Sequence, residues 1–454
     1  MNIFIRISLL VFAAIGADGA LAASGDLDTT FGPVLNGYAT YAFDLGGNKA
    51  DTSQVVLTQA NGNIVLVGRA IDSATSGRIA LVRLQPTGVV DSTFGSGGSA
   101  TFSLVSGSYT AAIPYVNAAA LDTQGRILVA GDTANDQCSY VARFTANGVI
   151  DGSFATGGVY VACPSSGHYI RFMDVAVDSS DRPVLAGTYA TLSGDFVASS
   201  QYLALRLTAA GQSDPTFNGG AIYTQSIGLV VGGKDHAGAV MLDRAGRIYL
   251  GGGAQTASND DAEVVLRLTA AGAPDTTCTS SGWVDLGATA DSGFVATSVV
   301  QRDAHHVVLV GTWYAQSGPA QNGIAYADMD ADTCAAGVSG ITVPATTATA
   351  GRAIAASDGA VYISYSQLTS NVAGAPWYAG ILALYDALPW NDSFTGIYSN
   401  QSTYGTGITL VGGKPLQAML AQYSGEDYDF AVARFQNDRI FYANFERDGA
   451  KSTP

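Results

Sequence analysis

The chain has 454 residues, with 21 Lys and Arg against 37 Asp and Glu, for a formal net charge of −16. No basic stretch follows a phosphate backbone, which excludes nucleic acid as a partner class. Only 13% of residues are charged and 55 are glycine, which is low charge for a helical protein, and the length suits a large repetitive core.

Residues 1–22 read as a secretory signal. Arg6 supplies a positive n-region, Ile7 to Ala17 an apolar core and Ala20 to Ala22 a small-residue cleavage site. The apolar run is too short for a membrane span, and no Cys follows the cleavage site to carry a lipid. A plain hydrophobic strand is the alternative, and the "ALAASG" junction argues against it. The expectation is a secreted or cell-surface protein, with the periplasm as another destination.

The next stretch, "GDLDTTFG" (Gly25 to Gly32), returns in other forms at Gly88 to Gly95, Gly148 to Ala155 and Gly211 to Asn218. In each later case it closes a unit of about sixty residues. A unit opens with an apolar strand, a tight polar turn and a second apolar strand ending in Gly: "VVLTQANGNIVLVG" (Val55 to Gly68), then Ala118 to Gly131, Asp174 to Gly187 and Ala239 to Gly252. A weaker copy spans Ser298 to Gly311, and degenerate ones start at Ala353 and Gly407. A second signature follows, as in "ALVRLQPTGVVDSTF" (Ala80 to Phe94), and then a short Gly-led strand.

Each unit thus offers four short strands punctuated by Gly, Asn, Asp and Ser, with no helical period. Seven such units predict an all-β, seven-bladed β-propeller of four-stranded blades over residues 23–435, rather than a β-solenoid, whose coils are shorter. By analogy with WD-type propellers the first hairpin is innermost. In the first unit strand a is then Ser53 to Gln59, b Asn63 to Arg69, c Arg78 to Gln85 and d Gly98 to Leu104. The last unit ends after strand c, at Phe435, while the first strand, Gly37 to Asp44, has no a, b and c before it. The N-terminal strand is therefore expected to complete the last blade.

The combination of "NGNIVLVG" with the "LVRL" strand and the "D-x-T-F-G" turn resembles the delta-sixty repeat of secreted bacterial proteins, a propeller-forming repeat. The resemblance is strong in units one to four and faint in five to seven. It implies a fold and no activity. Near the end, "DRIFYANFE" (Asp438 to Glu446) resembles a C-terminal signature, D-x-I-F-x-x-G-F-E, of exported gammaproteobacterial proteins, with Asn444 in place of Gly. Residues 436–454 are therefore either a tail with a sorting role or the run-out of strand c.

In units one to four an Arg on strand c precedes an Asp by eight residues: Arg83 and Asp91, Arg143 and Asp151, Arg206 and Asp214, Arg267 and Asp275. Units five and six lack both, with Ala331 and Asn391 at the aligned Asp position. Unit seven has Arg434 without an Asp, and Asp28 has no Arg. A guanidinium in an apolar strand needs a carboxylate, so Arg434 is expected to pair with Asp28 across the closure. The alternative is that each Asp only caps its own turn and each Arg meets solvent. Four cysteines in an exported chain are compatible with two disulfides or with buried free thiols. Of the three pairings, Cys138–Cys163 with Cys278–Cys334 links sequence neighbours.

The b–c and d–a loops differ from unit to unit and lie on one ring face, where binding usually resides. They carry Trp313, Tyr314, Trp377, Tyr378, His168, Tyr169, Asp235 and His236, residue types that suit sugar stacking or peptide contact, or that pack over their own loops. No nucleophile, zinc or nucleotide motif occurs. His168 and His236, in adjacent units with Lys234 and Asp235 beside the second, are an acid/base or metal alternative that rests on two loops alone, and His305 and His306 read as turn residues. Asp328, Asp330 and Asp332 alternate like the start of a Ca²⁺ loop, although Thr333 replaces the turn Gly and Ser339 the bidentate Glu. No cofactor is required, and Ca²⁺ is the candidate ion.

The leading functional reading is a propeller that binds an extracellular glycan, peptide or protein through its variable face. An alternative is a propeller enzyme (lyase, hydrolase or quinone-type dehydrogenase) with His, Asp or Arg converging near the axis. A third is a structural surface-layer component.

Overall fold

The computed structural model describes residues 27–436 apart from 47–49, 74, 107–108, 111–112, 134–136, 259, 288–291, 316–321, 343–346, 358, 369–376, 386–387, 395–401 and 425–426. The signal segment and the C-terminal tail lie outside the described residues. Seven four-stranded antiparallel sheets follow one another along the chain. In blade 1 strands a to d are Thr52–Thr58, Ile64–Ser73, Ser76–Leu84 and Ser99–Phe102. Blade 7 takes its first three strands from Thr403–Val411, Lys414–Ser424 and Asp427–Arg434, and its fourth from Tyr38–Tyr41. The seven a strands each neighbour those of the two adjacent blades, so the round closes.

A twisted sheet of Val, Ile, Leu and Ala has two apolar faces, and packing each blade between two others buries both. The core is accordingly divided into seven clusters, one for each joint between blades. At the closure Tyr38 pairs with Ala433 and Tyr41 with Phe430. Asp28 N–H donates to Arg434 O at 2.8 Å, and Arg434 N–H to Gly37 O at 2.9 Å.

The repeated Arg and Asp bind neighbouring blades together. Arg206 Nε donates to Asp214 Oδ2 at 2.7 Å, Nη2 to Thr216 Oγ1 at 2.9 Å and Nη1 to the Ala270 carbonyl of the next blade at 2.5 Å. Arg83, Arg143 and Arg434 repeat this, with Ala146, Ala209 and Pro86 as the acceptors in the next blade. Arg267 Nε lies 2.8 Å from Asp275 Oδ2, and its Nη1 donates to Ala331 O at 2.7 Å. Each Asp also caps its turn with the other oxygen, as Asp214 Oδ1 does for Thr216 N. Both roles weighed for the Asp therefore operate together. At the closure Asp28 accepts from Arg434 Nε at 2.8 Å and from Lys414 Nζ at 2.6 Å.

A phenylalanine lies against each guanidinium: Phe94, Phe154, Phe217 and Phe31 are wholly buried, 4.6–5.2 Å from the arginine. The same ring packs on a turn glycine of the next blade. A Cβ at Gly148, whose φ is +81°, would stand 2.5 Å from the Phe94 ring. The "G" and the "F" of the repeat are thus halves of a contact made between successive units. In blade 4 Cys278 takes the phenylalanine's place, and its disulfide to Cys334 joins blades 4 and 5. The second disulfide, Cys138–Cys163, lies within blade 2's segment of the chain.

Candidate functional site at the mouth of the axial channel

Every a strand carries an irregularity at the same level. The pairing register with strand b shifts between Ser53 and Val55, Phe172 and Asp174, Ala237 and Ala239, Ala296 and Ser298, Ala350 and Ala353, and Gly405 and Ile408. In blade 2 the same step separates the Pro114–Thr133 bridge from the Ala118–Ala130 pair. These are β-bulges, which leave a residue unpaired and re-aim its side chain. A glycine in the middle of strand b, Gly68 in blade 1 and Gly187 in blade 3, makes room for the bulge beside it. A Cβ at Gly68 would stand 1.9 Å from Thr52 O, and one at Gly187 would stand 1.8 Å from Arg171 O.

The residues freed by the bulges, Gln54, Asn117, Met173, Gly238, Thr297, Gly351 and Thr406, line one cavity of about 380 Å³ together with Tyr115 and Arg352. Asn117 Nδ2 donates to Asp132 Oδ1 at 2.6 Å, and Thr297 and Thr406 donate to backbone carbonyls at 3.3 and 3.2 Å. Their oxygen lone pairs, and the half-buried Gln54 amide, remain for a ligand.

Arg352 closes the cavity below. It crosses from blade 6, donating from Nη2 to Asn117 O at 2.8 Å and Met173 O at 3.2 Å, with Nη1 2.6 Å from Asp174 Oδ1. The other oxygen of Asp174 accepts from Val240 N at 2.8 Å. A second cavity of about 260 Å³, which Arg352 also lines, continues along the axis among Val55, Val175, Val240, Val299 and Ile408. Neither residue stood among the sequence candidates. A signal exists nonetheless: Asp174 and Arg352 occupy the position just after the bulge, held elsewhere by Val55, Ala118, Ala239, Ser298 and Gly407. Blades 3 and 6 are as far apart as a seven-membered ring allows, so charges at that position face each other over the axis.

The residues expected in loops are spread over blades 3 to 6, and all but Asp235 lie in strands: His168–Val177, His236–Leu242, His306–Ala315 and Trp377–Tyr385. His168 stacks on Tyr189 at 5.2 Å, and Tyr169 lies 5.6 Å from the Arg171 guanidinium. His236 Nε2 meets Phe294 O at 3.0 Å. Asp235 is buried and accepts from Ser226 Oγ and Ile227 N at 2.9 and 2.8 Å, fixing its own loop. Tyr314 OH donates to Asp261 Oδ2 at 3.4 Å, and burial with this carboxylate raises the phenol. Trp313 is half-buried against the core between blades 4 and 5. Trp377 lies 5.7 Å from Tyr404, which lies 6.4 Å from Tyr428. The Tyr378 side chain is outside the described residues. These groups are anchored locally and do not converge on one point.

The three aspartates of the Ca²⁺ candidate turn to separate partners. Asp328 Oδ2 lies 2.9 Å from Arg302 Nη1, Asp330 Oδ1 caps Thr333, and Asp332 Oδ2 lies 2.8 Å from His305 Nδ1. Among the described residues no group of three or more His, Cys, Asp or Glu could hold a metal ion. No described helix is long and apolar enough to cross a membrane.

A family model described as a domain of unknown function (DUF5122) β-propeller matches residues 59–94 and 125–154, within blades 1 and 2. The chain is a β-propeller repeat protein. No curated protein matches it. Among solved structures, 86% of the chain aligns with 90% of the polysaccharide lyase Uly1 at 10% identity and a TM-score of 0.48. A protein of unknown function from Dyadobacter fermentans aligns over 88% of this chain and 99% of its own at 13% identity and a TM-score of 0.41. The Hadza microbial sialidase Hz136 does so over 80% and 74% at 10% identity and a TM-score of 0.45.

Proposed function

We propose that this propeller is an exported binding module that takes a polar, extended ligand, a glycan before a peptide or protein, at the bulge-lined mouth of its axial channel. The observation that carries the reading is the coincidence of seven bulges at one level. Together they put amide and hydroxyl groups around a cavity within the size range of small-ligand sites. Such groups suit sugar hydroxyls, and the exposed Tyr115 beside them offers a ring for stacking. The two disulfides support an oxidising, extracytoplasmic setting.

A glycan array followed by calorimetry tests this. Binding of one glycan class is expected, weakened about tenfold or more by Gln54→Ala combined with Tyr115→Ala while the melting temperature holds. Unchanged binding in that variant would move the site elsewhere. The enzyme reading has one observation in its favour, a guanidinium (Arg352) and a phenol (Tyr115) on one cavity. It predicts new unsaturated or reducing ends when bound polysaccharide is incubated with the protein. Intact polysaccharide leaves binding as the function.

A further inference from the structure

The joints on either side of blade 6 depart from the others, and the one with blade 5 holds a cavity. From blade 7 round to blade 5, each joint is crossed by an arginine that ends on a carbonyl of the next blade. Counting from the aligned Ala331 loses the frame in blade 5, but the strand register recovers it. Asp328 faces Val308 across strands b and c as Arg267 faces Tyr249 in blade 4. A carboxylate therefore stands where the guanidinium stands elsewhere.

Among the described residues no other side chain fills the space. A cavity of about 300 Å³ remains, walled by Val308, Tyr326, Val361 and Leu384, with Asp328 and Arg302 on its polar side. Asp328 is only 9% exposed. Its Oδ2 is held by Arg302, but its Oδ1 is buried and has no hydrogen-bond partner among the described residues. Burial also raises its carboxyl above the ordinary range. A buried acceptor left without a donor is costly, and a charged donor relieves it best. Of the remaining polar groups, His306 Nδ1 is engaged by Asp303 at 2.8 Å and Asp330 Oδ1 by Thr333 at 2.7 Å.

We propose that this cavity is a second ligand site, separate from the channel mouth, for an alkylguanidinium or alkylammonium ion. The apolar stem lies along Val308, Val361 and Leu384, and the charged head donates to Asp328. The stem and head are those of an arginine or lysine side chain, so the guest replaces from outside the arginine that blade 5 lacks. Arg302 does not recruit an anion: Asp328 and Asp303 lie 2.9 and 3.7 Å from it, and Asp330 also lines the cavity, so carboxylates outnumber the guanidinium.

Calorimetry with butylguanidinium, against its neutral isostere butylurea, reads this directly. Butylguanidinium is expected to bind once per chain, at least about tenfold tighter than butylurea, and Asp328→Asn to remove that preference. Binding is expected to weaken on acidification. An N-acetyl Gly-Arg-Gly amide serves as a second probe. Equal or tighter binding of the peptide assigns the site to arginine in a chain, and binding of butylguanidinium alone assigns it to a free cation. Either outcome supports the proposal. Equal affinity for butylurea, or a preference surviving in Asp328→Asn, would overturn it. Should that variant not fold, a crystal structure with butylguanidinium decides, and a guanidinium away from Asp328 defeats the proposal. Loss of glycan binding at the channel mouth leaves this result untouched.

Discussion

At the scale of single residues, buried carboxylates divide into two groups with opposite effects. Burial opposes ionisation of Asp214, but the bonds from Thr216 and Arg206 outweigh it and bring the carboxyl down to about 2. Asp91, Asp151 and Asp275 are held down in the same manner. Such groups add stability that is present above their unfolded pKa and is lost as the pH falls through the folded value. Asp51 and Glu263 are the reverse: burial, with nearby carboxylates adding to it, pushes them up to about 6 and about 7. Their contribution is full below the unfolded pKa and is lost as the pH rises through the folded one. The melting temperature is therefore expected to peak between about pH 4 and 6 and to decline on both sides. Asp51→Asn is expected to flatten the neutral side and leave the acid limb unchanged. Melts across pH by circular dichroism check both, and a curve rising steadily to pH 8 would contradict them.

Between elements, the contact that recurs joins the c–d turn of one blade to that of the next. The residues involved were readable because their chemistry cannot be spared: an Arg in an apolar strand and an Asp eight residues on, repeated four times, with a Phe after it in three of them. The axial pair was not readable in that way. Asp174 sits in a clear repeat and Arg352 in a degenerate one, so their shared position emerges only from the register. The blade 5 frame slipped for a related reason. Its c–d turn is rebuilt around Asp330 and Cys334, which moved the counted position away from Asp328. The disulfide there replaces the missing ring. Replacing Cys278 and Cys334 with Ser is expected to cost about 2–4 kcal/mol by chemical denaturation, as expected for a link across 56 residues. The loss should fall on blades 4 and 5 first, as faster amide hydrogen exchange.

For the whole molecule, the closure decides whether seven blades behave as a ring or as an open array. The blade count and the interlocked ends followed from the sequence because an unfinished last unit and an orphan first strand fit only each other. Asp28 is fully buried there beneath both Arg434 and Lys414. Asp28→Ala removes the common partner of two cations and is expected to cost about 3–5 kcal/mol. Removal of residues 27–45 exposes the edge of strand Asp427–Arg434, and self-association is expected on gel filtration. A monomer of unchanged melting temperature would mean that the ring holds without its closure.

The arginine contacts have one more property. Each runs from a blade to its successor and none runs back, from blade 7 through to blade 5. The ring therefore has a sense of rotation, like a rope whose strands are all laid one way, and a beginning and an end that differ from those of the polypeptide. Chemically it starts at blade 7 and stops at blade 5. The seam of the chain lies within blade 7, where it is bonded most heavily, and the seam of the ring lies elsewhere, beside blade 6. New termini cut into that second seam by circular permutation would sever none of the directed bonds.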